Sequence, residues 1–431
     1  MLKKIICTLL SAALLLSFSA CSDIEDSGNL PSGTTVSQDS ENGSVTTASG
    51  LEDDSQPVTT VAGEDSEIAK NWSYEFDYQF IEENGIEYIW NQLDEDTKMN
   101  LGEVMNAIRN VQLYCPLTVG FPKEDGQKFL ELVSNCTMFY SYASNNFRLH
   151  IDDSDTVKGV TISYLINYES EGFERNEALE AKLNEIVAGA PAGDEFERIK
   201  YLHDYLILNC DYSEDAVSPF SAYGSIVEGK ATCQGYADGM HLILDRAGYE
   251  TAYAVGEGSE GVRHKWNYAK LSDGKWYIID PTWDDPENKT EADYIGYDYF
   301  LISDEMILRD HHAKFDSDYY ETPVAESMDK NYHKMMGYVA TNADEAYDVL
   351  LAQAIETAKD GRRYLYLRFD DGEALAEAYE ELSSGGAGNN RMQSIIEQAN
   401  EAAGTNFSTT SWVKSLNEEL GTLTITLKTA E

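Results

Sequence analysis

Three short motifs within Gly229–Asp285 decide how this chain is interpreted. Gly229-Lys230-Ala231-Thr232-Cys233-Gln234-Gly235-Tyr236 places a cysteine among small residues, His264-Lys265-Trp266-Asn267 contains a histidine, and Asp280-Pro281-Thr282-Trp283-Asp284-Asp285 contains an aspartate. Cysteine, histidine and aspartate are the residues of a thiol acyl-transfer site. The thiolate attacks, the imidazole moves the proton, and the carboxylate orients and stabilises the imidazolium.

The cysteine is predicted to open a helix. Thr232 suits the N-cap position, Gly248 suits the position just past the end, and apolar residues recur between them at helical spacing. These residues are Tyr236, Met240, Ile243, Leu244 and Ala247. At such a helix start the unpaired N–H groups and the macrodipole favour a thiolate, and the same amides can hold an oxyanion. At a helix start or beside a histidine, the pKa of a cysteine thiol falls to about 3.5–7.5 from about 8.5.

The histidine and the aspartate are predicted to lie on a hairpin. His264–Leu271 and Lys275–Thr282 alternate aromatic or aliphatic residues with polar ones, as strands do, and Ser272-Asp273-Gly274 suits a three-residue loop between them. In that register Leu271 pairs with Lys275 and His264 faces Thr282. Asp280 then becomes a diagonal neighbour of His264 on the same face of the sheet. A two-residue Asp-Gly turn would shift the register by one and put Asp280 on the other face.

The motifs resemble the transglutaminase-like superfamily of bacterial proteins, relatives of papain-type cysteine peptidases in fold. Besides the three motifs above, Ser221-Ala222-Tyr223-Gly224 and Asp273-Gly274-Lys275-Trp276-Tyr277 match, and the resemblance covers roughly 178–310. It implies an α+β fold in which a helix carrying the cysteine packs on an antiparallel sheet carrying the histidine and the aspartate. It also implies Cys233 as nucleophile, His264 as base and Asp280 as orienting residue.

Members of this superfamily cross-link glutamine to lysine, cleave peptide bonds or deamidate. The resemblance therefore leads us to expect a thiol acyltransferase or hydrolase acting on protein or peptide amides through a thioester. The alternative is a catalytically silent surface protein that uses the same fold to bind. Tyr223, Gln234 and Trp266 are weaker candidates for lining the site or holding the oxyanion, and Lys265 stands where the superfamily often has a small or apolar residue.

The N-terminus is predicted to be a lipoprotein signal. Lys3 and Lys4 precede an apolar run too short to span a membrane, and small residues lead into Cys21, the expected lipidation site. Plain secretion is the alternative. Residues 21–70 are predicted to be a disordered acidic tether, because 22–70 hold eleven acidic residues, one basic residue and no aromatic residue.

The rest of the chain divides into an N-terminal α+β module at 71–170, a catalytic domain at 171–315 and a C-terminal α+β module at 316–431. Apolar spacing predicts helices around 101–111, 122–133, 178–187, 195–208, 342–361, 373–382 and 392–403. Strands are expected at 147–151, 160–168, 363–369 and 422–428. His203-Asp204 lies on one of the helices, where a histidine more often packs in the core.

The charge of the chain bears on its partners, and its cysteines and acidic residues bear on disulfides and metals. The net charge of −46, without basic patches, disfavours nucleic acid and suggests cationic partners, so Lys-rich proteins or amines are a hypothesis for the substrate. Cys115, Cys136 and Cys210 cannot all pair with one another, so a disulfide framework is not expected. Asp284, Asp285 and Glu287 form no recognisable metal loop and are predicted to be a solvated acidic turn. We expect no metal and no cofactor.

Overall fold

The computed structural model describes residues 47–48, 58–62, 76–165, 168–258, 261–285, 294–314, 317–385 and 390–430. The chain forms two compact units. The first comprises 1–190, 209–265 and 314–322, and the second comprises 191–208, 266–313 and 323–431. The units share the predicted catalytic domain 171–315 between them, and its boundaries stay a prediction. The predicted signal, Cys21 and most of the predicted tether lie outside the described residues.

Both helices and strands occur throughout the described chain. The helices are α1 Gln79–Asn84, α2 Glu87–Trp90, α3 Glu95–Arg109, α4 Gly126–Cys136, α5 Tyr168–Gly189, α6 Glu195–Asn209, α7 Cys233–Arg246, α8 Pro281–Asp284, α9 Asp304–Ile307, α10 Tyr332–Met335, α11 Ala343–Lys359, α12 Gly372–Ser383 and α13 Arg391–Ala403. The strands are β1 Thr47–Ala48, β2 Val58–Ala62, β3 Tyr114–Pro122, β4 Ala143–Ile151, β5 Thr156–Tyr164, β6 Asp211–Tyr212, β7 Lys230–Ala231, β8 Glu250–Glu257, β9 Arg263–Lys270, β10 Trp276–Ile279, β11 Phe300–Ile302, β12 Ala313–Lys314, β13 Tyr364–Arg368, β14 Phe407–Asn417 and β15 Thr422–Thr429.

The first unit contains a five-stranded sheet in the order β1-β2-β4-β5-β3. Strands β4 and β5 contain most of the two strands predicted at 147–151 and 160–168, and they pair antiparallel, but β5 ends at Tyr164 and Tyr168 already begins α5. Strand β2, within the predicted tether, pairs in parallel with β4, which differs from the expectation of a segment without regular structure. The reason is local, because Val58-Thr59-Thr60-Val61 consists of β-branched residues, which suit a strand.

Helix α7 is the central helix of the first unit. Its side chains are buried from Gly235 through Leu244, so it is covered on all sides rather than along one stripe. Near its end, Arg246 donates to Glu180 Oε2 of α5 at 3.1 Å and to the Glu83 backbone carbonyl at 3.0 Å. Gly248 follows with φ 89°, as the predicted residue beyond the helix end. The first residue of α7 is therefore held by a buried, well-anchored helix.

The second unit contains a hairpin and a C-terminal module. Strand β10 pairs antiparallel with β9 on one side and with β11 on the other. In the module, β13, β15 and β14 form an antiparallel sheet that packs with α11, α12 and α13 around an apolar core. The sequence analysis missed β14, which is an edge strand with few buried residues and so shows little hydrophobic pattern.

The helix starts in this module follow the expected capping chemistry. Asn342 accepts from the backbone N–H groups of Asp344 and Glu345, at 3.1 and 3.0 Å. Glu345 reaches back one residue further than a capping box requires, to the N–H and hydroxyl of Thr341. These contacts confirm the predicted start of α11. The fold is α+β, as predicted, and within the described ranges no helix is both long and apolar enough to cross a membrane.

Candidate functional site

Cys233 is the first residue of α7 and is half-buried. Thr232 before it has extended backbone, with φ −89° and ψ −176°, as an N-cap residue does. Its hydroxyl accepts no hydrogen bond from the first turn, contrary to the prediction, and donates to the Pro219 carbonyl at 3.1 Å. The Thr232 hydroxyl thus does not cap the N–H groups at the start of the helix. They are the groups that stabilise a thiolate or an oxyanion at a helix start.

Gly235 explains why small residues surround this cysteine. A side-chain carbon at this position would come within 2.7 Å of the Pro219 carbonyl oxygen and 2.9 Å of the Ser221 carbonyl oxygen. The two carbonyls belong to the loop that also accepts from Thr232. Only glycine lets this loop lie so close to the helix start. Gly235 therefore helps to hold the start of the helix, and with it Cys233, in place.

Lys265 and Asp238 form a buried ion pair in the first unit. The Lys265 ammonium lies 2.5 Å from Asp238 Oδ1 and 4.1 Å from the centre of the Tyr253 ring, and both charged side chains are about 5% exposed. Burial raises the pKa of the Asp238 carboxyl, while the Lys265 charge and a hydrogen bond from Gln234 oppose that rise. The pair joins α7, which Cys233 opens, to β9, where Lys265 directly follows His264.

The β9–β10 hairpin has the register that the longer loop predicts. Trp276 pairs with Lys270 and Ile279 pairs with Asn267, and the Leu271 N–H donates to the Lys275 carbonyl at 3.0 Å. Gly274 has φ 79°, the left-handed conformation expected in this loop. The two-residue turn, which would have reversed the faces, is therefore excluded.

Asp280 is fully buried and directly follows β10. The prediction that it belongs to the strand was wrong. The strand ends at Ile279, and Asp280 caps the short helix α8 instead. Its Oδ1 accepts from the backbone N–H groups of Thr282 and Trp283, at 3.1 and 3.3 Å. Asp280-Pro281 is a typical helix start, with Asp at the N-cap and Pro at the first helical position.

His311 is the partner of Asp280 that the sequence analysis missed. Its Nε2 lies 3.2 Å from Asp280 Oδ2, its Nδ1 lies 2.9 Å from Asp310 Oδ1, and Tyr299 donates its hydroxyl to Asp310 Oδ2 at 2.5 Å. Burial lowers the pKa of His311, but the two carboxylates outweigh burial and hold it above its ordinary value. The adjacent pair Asp310-His311 was the only signal in the sequence, and it has no spacing typical of a site.

His203 has the same arrangement in the second unit. Its Nδ1 lies 3.1 Å from Asp204 Oδ1 and its Nε2 lies 3.2 Å from Asp284 Oδ2. Burial lowers its pKa too, and the two carboxylates again raise it above its ordinary value. The structural role expected for His203 fits these contacts. The solvated acidic turn was wrong, because Asp284 and Asp285 are 1% and 3% exposed, whereas Glu287 lies outside the described residues.

The weaker candidates have other contacts. Gln234 bonds to Asp238. Tyr223 is half-buried with the Arg175 guanidinium 3.8 Å from its ring centre. Trp266 is fully buried and packs edge-on against His311, with ring centres 5.3 Å apart. Their predicted roles in lining the site are not tested by these contacts. Asp280 and His311 also offer an oxygen and a nitrogen that metals bind, so the absence of a metal stays a prediction.

Comparison with known proteins identifies the class of this region. Residues 181–281 match the model of the transglutaminase-like superfamily, and this range contains Cys233, His264 and Asp280. The chain therefore carries a transglutaminase-like domain and has an α+β fold with a transglutaminase-like core, as the motifs predicted. No curated protein sequence matches the chain.

Solved structures with some likeness to the chain share little sequence with it. A suggested cysteine protease from Cytophaga hutchinsonii is 16% identical, with 30% of this chain and 51% of that chain covered and a TM-score of 0.21. The structure of a TGase is 15% identical, with coverages of 41% and 52% and a TM-score of 0.23. The periplasmic domain of TgpA from Pseudomonas aeruginosa is 15% identical, with coverages of 30% and 60% and a TM-score of 0.21. The matches thus span about half the length of these proteins. At such low TM-scores they support no conclusion about this chain beyond the family match.

Proposed function

We propose that this chain is an exported thiol acyltransferase or hydrolase, anchored to the membrane by a lipid on Cys21, that acts on protein or peptide amides. Cys233 would be the nucleophile, His264 the general base and Asp280 the residue that orients the imidazole. The observation that carries the proposal is the position of Cys233, a half-buried thiol on the first residue of a buried helix within the transglutaminase-like segment.

Two local features support the other two roles. His264 is on β9 beside Lys265, and Lys265 is bonded to the helix that Cys233 opens, so the same strand is tied to the nucleophile's helix. Strand β9 pairs with β10 in the register on which the Asp280 assignment depends. A one-residue slip would have moved every side chain of β10 to the opposite face and removed Asp280 from consideration.

The proposed reaction has two acyl transfers. The Cys233 sulfur attacks the amide carbonyl, the carbon–nitrogen bond breaks, and the departing amine or ammonia takes the proton that the His264 imidazole had removed from the thiol. In the second transfer, an amine or water loses a proton to His264 and attacks the thioester. The carbon–sulfur bond of the thioester breaks, the acyl group leaves as a new amide or as an acid, and the proton on His264 returns to the Cys233 sulfur. No oxidant, metal or cofactor is required.

The charge of the chain supports a cationic acyl acceptor. With 77 acidic and 31 basic residues the net charge is −46, so the field around the protein attracts positively charged partners. We therefore propose lysine-rich proteins or small amines as the acceptor and glutamine-containing peptides as the donor.

The test is the alkylation rate of Cys233 by iodoacetamide as a function of pH, read by mass spectrometry of the Cys233 peptide in the full-length protein. We expect fast labelling with a plateau well below pH 8. Cys136 is an internal control, because burial raises the pKa of its thiol to about 12. Cys233→Ala should abolish turnover of a glutamine-containing peptide with a small amine as the acyl acceptor, while leaving the melting temperature nearly unchanged.

Asp280→Asn separates catalysis from structure. Asparagine caps helices about as well as aspartate, so α8 should form, but the imidazole should lose its orienting charge. We expect the turnover rate to fall at least a hundredfold at unchanged far-UV circular dichroism. Labelling of Cys233 that rises only near pH 8.5, with no turnover, would contradict the proposed enzymatic function. It would favour the alternative of a catalytically silent binding protein.

A further inference from the structure

We propose that His311 is the positioning residue of the site: held by Asp310 and Tyr299, it fixes the carboxylate of Asp280. The inference rests on the proposed function, since it concerns how Asp280 is held in place for its role. Residues 310 and 311 lie outside the segment that matches the transglutaminase-like model.

The geometry determines what His311 does to Asp280. The Asp280 Oδ1 atom is occupied by two backbone N–H groups of α8, and Oδ2 lies 3.2 Å from His311 Nε2. The two oxygens are thus held from two different directions, which leaves the carboxylate plane little freedom to rotate. A carboxylate fixed in this way can accept a further hydrogen bond only along a lone pair that these partners leave open.

The far side of the ring is fixed as firmly as the near side. Asp310 Oδ1 faces His311 Nδ1 at 2.9 Å, and the Tyr299 hydroxyl donates to the other Asp310 oxygen. The indole of Trp283 covers the imidazole with ring centres 4.2 Å apart. His311 is fully buried, so water does not compete for either ring nitrogen.

The number of protons on the ring follows from the partners. An ionised carboxylate only accepts hydrogen bonds, so each ring nitrogen that faces one must donate. Burial lowers the pKa of the ring, but the hydrogen bonds and charges of Asp280 and Asp310 together raise it by more. Their combined charge favours an imidazolium, which donates to Asp280 and to Asp310 at the same time.

The arrangement has a matched control in the same unit. His203 is also fully buried between two carboxylates, at nearly the same distances, but its Nε2 faces Asp284 at the end of α8 and not Asp280 at its start. Replacing His203 should cost the fold a similar buried imidazolium without releasing the Asp280 oxygen. The pair therefore distinguishes a specific effect on Asp280 from a loss of buried polar packing.

The experiment measures iodoacetamide alkylation of Cys233 against pH in the wild type, Asp280→Asn, His311→Leu and His203→Leu, all as full-length chains. We expect His311→Leu to move the inflection upward by about one pH unit, in the same direction as Asp280→Asn, so that labelling below the inflection slows about tenfold. His203→Leu should keep the wild-type inflection.

The outcomes separate the two ideas. A wild-type inflection below pH 8 that His311→Leu leaves unmoved would overturn the positioning role and leave the proposed function standing. An equal shift in His203→Leu would also overturn it, because the effect would then be general. A wild type that reacts only near pH 8.5 would remove the proposed function, and the role of His311 in it.

A second measurement needs no variant to fold. Histidine-selective ¹⁵N labelling of the wild-type chain gives the protonation of each ring nitrogen by NMR. We expect the doubly protonated ring of His311 to predominate at pH 6.5, where an imidazole of ordinary pKa is only half protonated. A neutral His311 ring with a bare nitrogen at that pH would overturn the assignment.

Discussion

Replacing Lys265 by methionine should destabilise the protein strongly, because the charge that it leaves behind is buried. At 2.5 Å and an effective dielectric of about 20, the attraction between Lys265 and Asp238 is roughly 7 kcal/mol. The cost of desolvating the two ions, several kcal/mol each, offsets most of it. Lys265→Met removes the attraction but leaves the desolvated Asp238, so we expect the free energy of unfolding to fall by about 3–5 kcal/mol.

The double variant Lys265→Met/Asp238→Leu should recover most of that loss, since it leaves no unpaired charge, and should lie within about 1 kcal/mol of the wild type. Urea unfolding, followed by circular dichroism and by tryptophan fluorescence, gives the free energies of unfolding of the wild type, the two single variants and the double variant. Lys275→Met is the matched control. Its ammonium lies 2.5 Å from Asp329, but both side chains are largely exposed, so we expect no resolvable change in the unfolding midpoint.

A Lys265→Met variant that unfolds like the Lys275→Met control would contradict a costly unpaired charge on Asp238. A double variant no more stable than Lys265→Met alone would contradict it as well. The first result would mean that the pair is solvated, and the second that packing of the two side chains, not their charge, stabilises this region.

Two further predictions concern the histidines and the cysteine loop. Because carboxylates raise the pKa values of His203 and His311 above their unfolded values, their contribution to stability is fully present below about pH 6.5 and is lost as the pH rises through the folded values. The free energy of unfolding of the wild type minus that of His203→Leu should therefore shrink between pH 6 and pH 9, and a difference that grows would contradict the raised pKa. Gly235→Ala should destabilise by about 1–3 kcal/mol and slow Cys233 alkylation, because the new methyl group meets the Pro219 and Ser221 carbonyls; a neutral result in both thermal unfolding and labelling would mean that the loop gives way freely.

Local interactions explain why much of this protein could be predicted. The start of α7 follows from the extended backbone of Thr232 at the N-cap position and from the apolar repeat after it, and both lie within 232–247. The hairpin register follows from a loop of fixed length ending in Gly274, whose left-handed backbone selects the three-residue loop over the two-residue turn. The sequence also predicted the helices of the C-terminal module, where capping residues mark the ends.

Predictions were wrong or incomplete where the outcome depends on competition between local options. Asp280 could continue a strand or cap a helix, and the proline after it favoured the cap. Thr232 could cap α7 or bond to another loop, and the nearby Pro219 carbonyl took its hydroxyl. Asp284 and Asp285 were read as solvated from composition alone, yet the histidine that pairs with Asp284 is 81 residues away.

The helix start and the hairpin could be predicted because they depend on contacts between near neighbours in the chain. The partners of their side chains depend on tertiary packing. His311 meets Asp280 across 31 residues and Lys265 meets Asp238 across 27, and both contacts are buried. No periodicity marks such pairs, because what makes them strong is the exclusion of water, and water is excluded only when the whole chain has packed.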